Sequence, residues 1–291
     1  IFGKVFMETV RNMKAEKLKL EQKENSVLVG TKKVEGDFVI VNQSDMVPIP
    51  ERRKMNGKEL PLSFVKALSK SKFAASSDET QGCMCGVKVM KDFVYATDRY
   101  RIVKYIIKEE CGVDGLILPA KFIEVLEKVY TEGTVIEVVQ SDIQNPKVVV
   151  HLDENTSLQT SILSGKFPDV LKFIDVEYPD LIDIVFGDDV HKTIVDHIAF
   201  QKGTLDIDRA TTISVGEDLS TFTTVDKNVG TLETDVDLKI KVDEEFVFQI
   251  NPLFLKEVLE EGVHFEYSNV GSLVRITSED FIYMAKTIQK D

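Results

Sequence analysis

The sequence holds three cysteines and four histidines in 291 residues, and each scarcity removes a class of protein. Cys83, Cys85 and Cys111 are too few for a disulfide framework, and Cys83-Met84-Cys85 lacks the second pair and the spacing of a zinc site. They are expected to be reduced thiols in a cytoplasmic chain. His151, His191, His197 and His264 do not fall at metal-ligand spacing; His191 and His197 are not three or four apart, so they are not close neighbours on a helix. There is no Gly-rich phosphate loop and no Gly-X-Ser-X-Gly elbow, and among many carboxylates no pair stands out as acid and base. The expectation is a protein that catalyses nothing and carries no metal or cofactor. Apolar runs such as 38–41 and 115–118 fall far short of the roughly 18 residues a membrane helix needs, which predicts a soluble protein with no membrane partner.

What is present is a core-forming composition, 43% hydrophobic, with a net charge of −13. That charge argues against binding nucleic acid by a wholly basic exterior, and leaves open basic groups gathered on one surface. The length suits two or three domains of roughly 100–150 residues.

Hydrophobic spacing divides the chain into similar units. Phe2, Phe6, Val10 and Met13 recur at helical spacing up to about Lys14, followed by strands over 17–22, 26–31 and 36–42. A linker over 48–57 carries Pro48, Pro50, the basic run Arg52-Arg53-Lys54 and Asn56-Gly57. Next come a strand near 59–62, a helix over 63–73, and strands over 82–90, 93–97 and 101–107. The pattern recurs as a strand over 115–118, a helix opened by Pro119, and strands over 135–140, 148–152 and 157–163. A connecting stretch leads to strand 181–186, helix 188–200 with acids at its positive end, and Thr- and Val-rich strands as far as Leu238. The last repeat has strand 246–250, helix 252–261, and strands 264–268, 273–277 and 281–288. The grammar is strand-helix-strand-strand-strand with a period of roughly 50–60 residues. Four units are complete and the first lacks its opening strand, so with two units to a domain the missing half is expected upstream of Ile1.

The helices share a charge pattern. In 63–73, Phe64, Val65 and Leu68 face the sheet, while Lys66 and Lys70 lie opposite with no acid in the helix. After Pro119, Phe122, Ile123, Leu126 and Val129 form the core stripe, and Lys121 and Lys128 share the other side with Glu124. Lys4 and Arg11 repeat the arrangement, as does Lys192 more weakly. Such faces are either ordinary solvated surface or, arranged around a ring, the lining of a positive hole that meets phosphates without reading bases.

Three motifs occur in order: Ala96-Thr97-Asp98-Arg99-Tyr100-Arg101, where alternation in an extended backbone would send both arginines to one face; Leu116-Ile117-Leu118-Pro119-Ala120-Lys121; and Ser164-Gly165-Lys166-Phe167-Pro168-Asp169. With these the chain resembles bacterial-type DNA sliding clamps, the beta subunit of DNA polymerase III. Their turn reads A-T-D-G-H-R and their link between second and third domains D-G-R-F-P-D. The resemblance implies an α+β DNA clamp fold of repeated strand-helix-strand-strand-strand units, two per domain. Helices would line a ring and sheets would form its outside. It implies domain boundaries of 1–55 for the second half of a first clamp domain, 56–178 for a second and 179–291 for a third.

The same resemblance implies a processivity factor: a head-to-tail homodimer encircling double-stranded DNA irrespective of sequence, placed by a clamp loader and tethering DNA polymerase and other partners. Their hydrophobic peptides would dock in a groove of Met84, Thr97, Arg99, Tyr100, Arg101, Ile102, Pro168, Lys172, Phe173, Ile282 and Met284. Lys4, Arg11, Lys66, Lys70, Lys121, Lys128 and Lys192 would face DNA. Arg99 stands where the family has glycine, Tyr100 where it has histidine, Lys172 where it has arginine and Ala285 where it has proline. These departures point to a divergent clamp of phage or mobile-element kind and bear on peptide preference more than on fold. The rival readings are a docking scaffold of the same architecture without ring closure, and a two-domain clamp that forms trimers; the unit count and the Phe167-Pro168-Asp169 link favour the bacterial kind.

Overall fold

Phe6 and Val10, with Met13 just past its end, give α1 (Gly3–Asn12) its apolar stripe, which is half-buried, and Phe6 meets Phe38 edge-on at 5.2 Å; Phe2 lies outside the described residues. Three antiparallel strands follow in order, β1 (Lys19–Gln22), β2 (Ser26–Gly30) and β3 (Glu35–Val39). The third ends at 39, short of the expected 42. The computed structural model describes residues 3–40, 55–109, 111–139, 146–259 and 264–288, so 41–42 and the linker's Arg52-Arg53-Lys54 lie outside the described residues. The chain divides into two compact units, 1–54 and 55–291.

In the larger unit the expected order of elements holds. Its first half contains β4 (Lys58–Glu59), α2 (Leu62–Ser71), β5 (Gly86–Val89), β6 (Phe93–Thr97), β7 (Arg101–Ile106), β8 (Ile117–Pro119), α3 (Ala120–Val129), β9 (Val135–Val139), β10 (Lys147–His151) and β11 (Ser157–Ser161). A one-turn helix, α4 (Leu171–Ile174), lies in the connection. Then come β12 (Ile182–Val185), α5 (Val190–Phe200), β13 (Thr211–Val215), β14 (Leu219–Asp226), β15 (Gly230–Asp237), β16 (Phe246–Ile250), α6 (Leu253–Leu259), β17 (His264–Ser268), β18 (Leu273–Ser278) and β19 (Phe281–Lys286).

Among the described residues of this unit, two sheets have four antiparallel strands, β11-β10-β9-β4 and β15-β14-β13-β16, and a third has eight, β12-β17-β18-β19-β7-β6-β5-β8. Its middle is the pairing of β19 with β7, where Met284 faces Ile102 and Tyr283 faces Val103. Strand alternation sends Val94, Ala96, Val103, Tyr283 and Ala285 to the helix side, where all are buried in the main core. There α2 packs beside α3 and α5 beside α6. Phe186, which meets Phe265 at 4.7 Å and Phe222 at 5.5 Å, is fully buried. Burial of a side chain that size stabilises by about 1.5–3 kcal/mol.

Two expectations are corrected. The segment 82–90 is a strand only from Gly86; before it, Glu79–Cys85 winds into 3-10 turns. Asp78 caps those turns by accepting from the Thr80 amide at 2.9 Å, and Gly82 breaks them with φ +57°. The Met-Cys run thus lies on a turn, because the cap and the glycine prevail over the strand propensity of the apolar residues that follow. The helix expected over 63–73 stops at Ser71 and tightens into a 3-10 turn at Lys72–Ala74.

His197 is fully buried on α5 and shares hydrogen bonds with the Thr224 hydroxyl (Nδ1, 2.8 Å) and the Thr234 hydroxyl (Nε2, 3.2 Å). Burial pushes its pKa below the usual 6.5, so the unfolded chain takes up a proton there first. Stability supplied by the neutral ring is complete above the ordinary histidine range and is lost as pH falls through it. Urea midpoints are expected to drop between pH 7 and pH 5.5, and His197→Gln is expected to flatten that drop; an unchanged slope in the variant would clear His197 of it.

Candidate functional site

The face of the eight-stranded sheet that points away from the helices is where the predicted residues can be tested for proximity. Register places Thr97, Ile102, Met284, Arg275, Glu266 and Asp183 in one row across β6, β7, β19, β18, β17 and β12. A second row holds Tyr95, Lys104, Ile282 and Thr277. The apolar members are Ile102, Ile282 and Met284, joined by Tyr95. Arg275 is taken up by a bidentate pair with Glu266, at 2.6 and 3.0 Å, which fixes its planar fork.

The connection after β11 packs on this face. Gly165 turns it with φ +121°, a conformation that favours glycine, and the Cys83 Sγ rests against the Lys166 carbonyl at 3.5 Å. Phe167 then meets Tyr95 edge-on at 5.1 Å, and with Val170 and Ile117 they form a small buried cluster. Burial raises the Tyr95 pKa. A second cluster joins Ile174 to Met284 and Leu273, with Tyr178 and Ile282 around it. Ile102 and Leu171 belong to both, so the clusters form one apolar seam between α4 and the junction strands. Beside it Phe173 and Val176 stand 48% and 46% exposed, and the Lys172 ammonium lies 5.2 Å from the Phe173 ring.

The hairpin between β6 and β7 behaves differently from an extended strand. Asp98 Oδ1 accepts from the Tyr100 and Arg101 amides, both at 3.1 Å, and Oδ2 pairs with Arg101 Nε at 2.9 Å. Thr97 donates its hydroxyl proton to the Arg101 carbonyl at 2.7 Å and accepts from the Arg99 amide at 3.2 Å. Arg99 carries φ +81°. Alternation from 99 to 101 is therefore broken, and the two arginines do not share a face as an extended backbone would require. Arg101 goes to the helix side, its guanidinium 4.9 Å from the Phe254 ring and 5.5 Å from Phe73; Tyr100 stacks on Phe254 at 6.3 Å.

Of the eleven predicted groove residues, Thr97, Ile102, Ile282 and Met284 share the outer face, with Pro168, Lys172 and Phe173 on the connection beside it. Tyr100 and Arg101 contact helix-side elements. Arg99 is exposed at the hairpin tip, and Met84 is buried on the 3-10 turn outside both clusters. Sequence reading missed Leu171, Ile174, Leu273 and Tyr178. The recurrence of Phe167, Val170, Leu171 and Ile174 at three- and four-residue steps was the available signal for α4.

Of the predicted DNA-facing residues in the larger unit, Lys66, Lys121, Lys128 and Lys192 are exposed and Lys70 is half-buried. Lys121 pairs with Glu79 at 2.6 Å, and Lys192 with Asp196 at 3.7 Å. Glu127 of α3 lies near the lysines too and binds Lys72 and Ser69, which hold its carboxyl below the usual range. The α3 surface is thus mixed rather than basic. In the smaller unit Lys4 and Arg11 are exposed. Among the described residues no group of three His, Cys, Asp or Glu is placed to hold a metal ion, and no helix is long and apolar enough to cross a membrane.

Residues 60–169 match the family model described as the DNA polymerase III beta subunit, central domain. A curated relative, the beta sliding clamp of Rickettsia felis, is 26% identical over 235 residues, covering 73% of this chain and 60% of that protein. The chain thus spans about three-fifths of the length of this relative. Among solved structures, the sliding clamp of Bartonella birtlesii bound to griselimycin superposes with TM-score 0.73 at 17% identity, over 99% of this chain and 80% of that one. The Helicobacter pylori beta clamp bound to a DNA ligase peptide gives 0.69 at 17% identity, over 100% and 81%.

Proposed function

We propose, for a chain with the fold of bacterial beta sliding clamps and a central segment that matches their family model, that it is itself a DNA sliding clamp. It closes around duplex DNA, catalyses nothing, and holds a polymerase and other partners through a peptide-docking seam on the sheet face. The observation that carries this reading is the division of labour across the eight-stranded sheet. One side packs helices that expose Lys66 and Lys128 without an ion pair among the described residues, and the other carries a half-buried apolar seam of Ile102, Leu171 and Ile282 over the buried Met284. Phosphate contact and protein docking thus have separate surfaces.

Within this reading residues 56–178 and 179–291 are the second and third clamp domains, joined through the pairing of β7 with β19, and 1–55 belongs to the first. A head-to-tail homodimer completes the ring, a clamp loader opens it, and the lysines act collectively through a salt-dependent term, none of them indispensable. The peptide-bound Helicobacter pylori clamp supports docking of partner peptides. The protein works in the cytoplasm, where replication takes place.

The test is topological. Loaded on nicked circular duplex, the protein is expected to remain through gel filtration at salt high enough to release simple electrostatic binders, and to run off once the circle is cut. Equal retention on circles and linear molecules would refute encirclement and leave a docking scaffold of clamp fold.

A further inference from the structure

Ring closure and peptide docking make no use of the thiols in Cys83-Met84-Cys85, yet the fold sets them close together. The 3-10 turns over Glu79–Cys85 are interrupted at Gly82 by φ +57°, so the three residues form a turn of their own. On 3-10 geometry, Cα atoms two residues apart lie roughly 5 Å from each other, inside the range that a disulfide accepts. Met84, 6% exposed, takes the inward position, and both cysteines stay half-buried. The Cys83 thiol donates to the Lys166 carbonyl at 3.5 Å and the Cys85 thiol to the Asp78 carbonyl at 3.1 Å. A thiol is a weak donor, so a change of rotamer frees either sulfur from its carbonyl.

The third thiol has a different setting. Cys111 is 4% exposed in the main core, and burial pushes its pKa up to about 12. Cys83 instead borders the cluster of Tyr95, Phe167 and Val170, and packs on the glycine that turns the connection: a Cβ at Gly165 would stand 3.6 Å from both the Cβ and the Sγ of Cys83. Chemistry at this sulfur therefore acts on the connection.

We propose that Cys83 and Cys85 are a redox-active pair, forming a reversible disulfide that unseats the connection at Gly165–Phe167. The pair goes beyond the clamp reading and stands without it. The oxidant is a small-molecule disulfide. The Cys83 thiolate attacks one of its sulfurs, making a mixed disulfide and releasing the other sulfur as a thiol. The Cys85 thiolate then attacks the Cys83 Sγ and expels the second thiol, so two protein thiols are oxidised, one disulfide is reduced, and the two protons leave on the released thiols. Burial, Asp78 and Glu79 raise the Cys85 pKa, against which the Lys121 ammonium lowers it; this suits Cys85 to the second step, where proximity offsets a low thiolate fraction. A loop this short adds little stability, so a reducing compartment readily undoes the bond.

The test exposes the full chain at neutral pH to oxidised glutathione, followed by alkylation, intact mass and peptide mapping. Two of the three thiols are expected to be lost, with Cys83 linked to Cys85, Cys111 free, and all three recovered with dithiothreitol. Cys85→Ser is expected to trap glutathione on Cys83. In the oxidised protein, amide exchange over 166–171 is expected to be about tenfold faster. Three free thiols after treatment, glutathione remaining on wild-type Cys83, or a bond to Cys111 overturns the pair, and the wild-type map decides this without any variant. Unchanged exchange over 166–171 in the oxidised protein overturns the unseating.

Discussion

Met284→Ala is expected to weaken binding of a hydrophobic partner peptide by at least tenfold while leaving retention on circular DNA unchanged. Met284 is 4% exposed, forms the floor shared by Ile174 and Leu273, and faces Ile102 across the β7–β19 pairing. A thioether adapts its shape to the side chains packed on it, and truncation removes the support beneath the half-buried Ile102, Leu171 and Ile282. The loss of buried side chain also costs about 2–5 kcal/mol if the site does not collapse. Met284→Leu separates the two effects, since it conserves volume and is expected to restore stability fully while restoring binding only in part. The affinities are read by anisotropy and the stabilities by urea titration. Wild-type affinity in Met284→Ala would remove the seam from the docking site.

The second large effect concerns Arg101, which the resemblance implies as a groove residue and the structure turns toward the helices. Arg101→Ala is expected to destabilise by about 2–4 kcal/mol, because it strands the Asp98 carboxylate and strips the cation from two rings. Both partners of the pair are only 14% exposed, so screening by water discounts the figure little. The guanidinium lies between Phe73, just beyond α2, and Phe254 of α6, so its loss loosens packing across the β7–β19 junction. Arg101→Lys is not expected to rescue, since an ammonium cannot pair with Asp98 through a planar fork and stack on two rings together. Chemical denaturation with an unchanged m-value is the measure. A shift under 0.5 kcal/mol would overturn this structural role for Arg101.

Periodicity is a property of one segment at a time, and it was legible. Phe64, Val65 and Leu68 mark the buried side of α2, and Phe122, Ile123 and Leu126 that of α3, because burial selects apolar residues at the helical repeat. The repeated unit, the mixed α+β order and the scarcity of catalytic patterns follow from the same local rules. Lys66, Lys121 and Lys128 could be placed on exposed faces for the same reason. That Glu127 stands among them, bound to Lys72, could not be read as a pairing from spacing alone, because the partners come from different helices.

What only the tertiary structure decided is everything that depends on contacts between distant segments. The pairing of β19 with β7 brings Met284 beside Ile102, and no local pattern encodes which edge strand meets which. The turn at Asp98 and the positive φ of Arg99 break the alternation that would have put Arg99 and Arg101 together, because side-chain hydrogen bonds to the backbone outcompete an extended conformation there. By itself the sequence determined the elements and their buried faces, through short-range sterics and hydrophobic periodicity. Which of the implied groove residues share a face was settled by long-range strand register, which depends on the whole sheet.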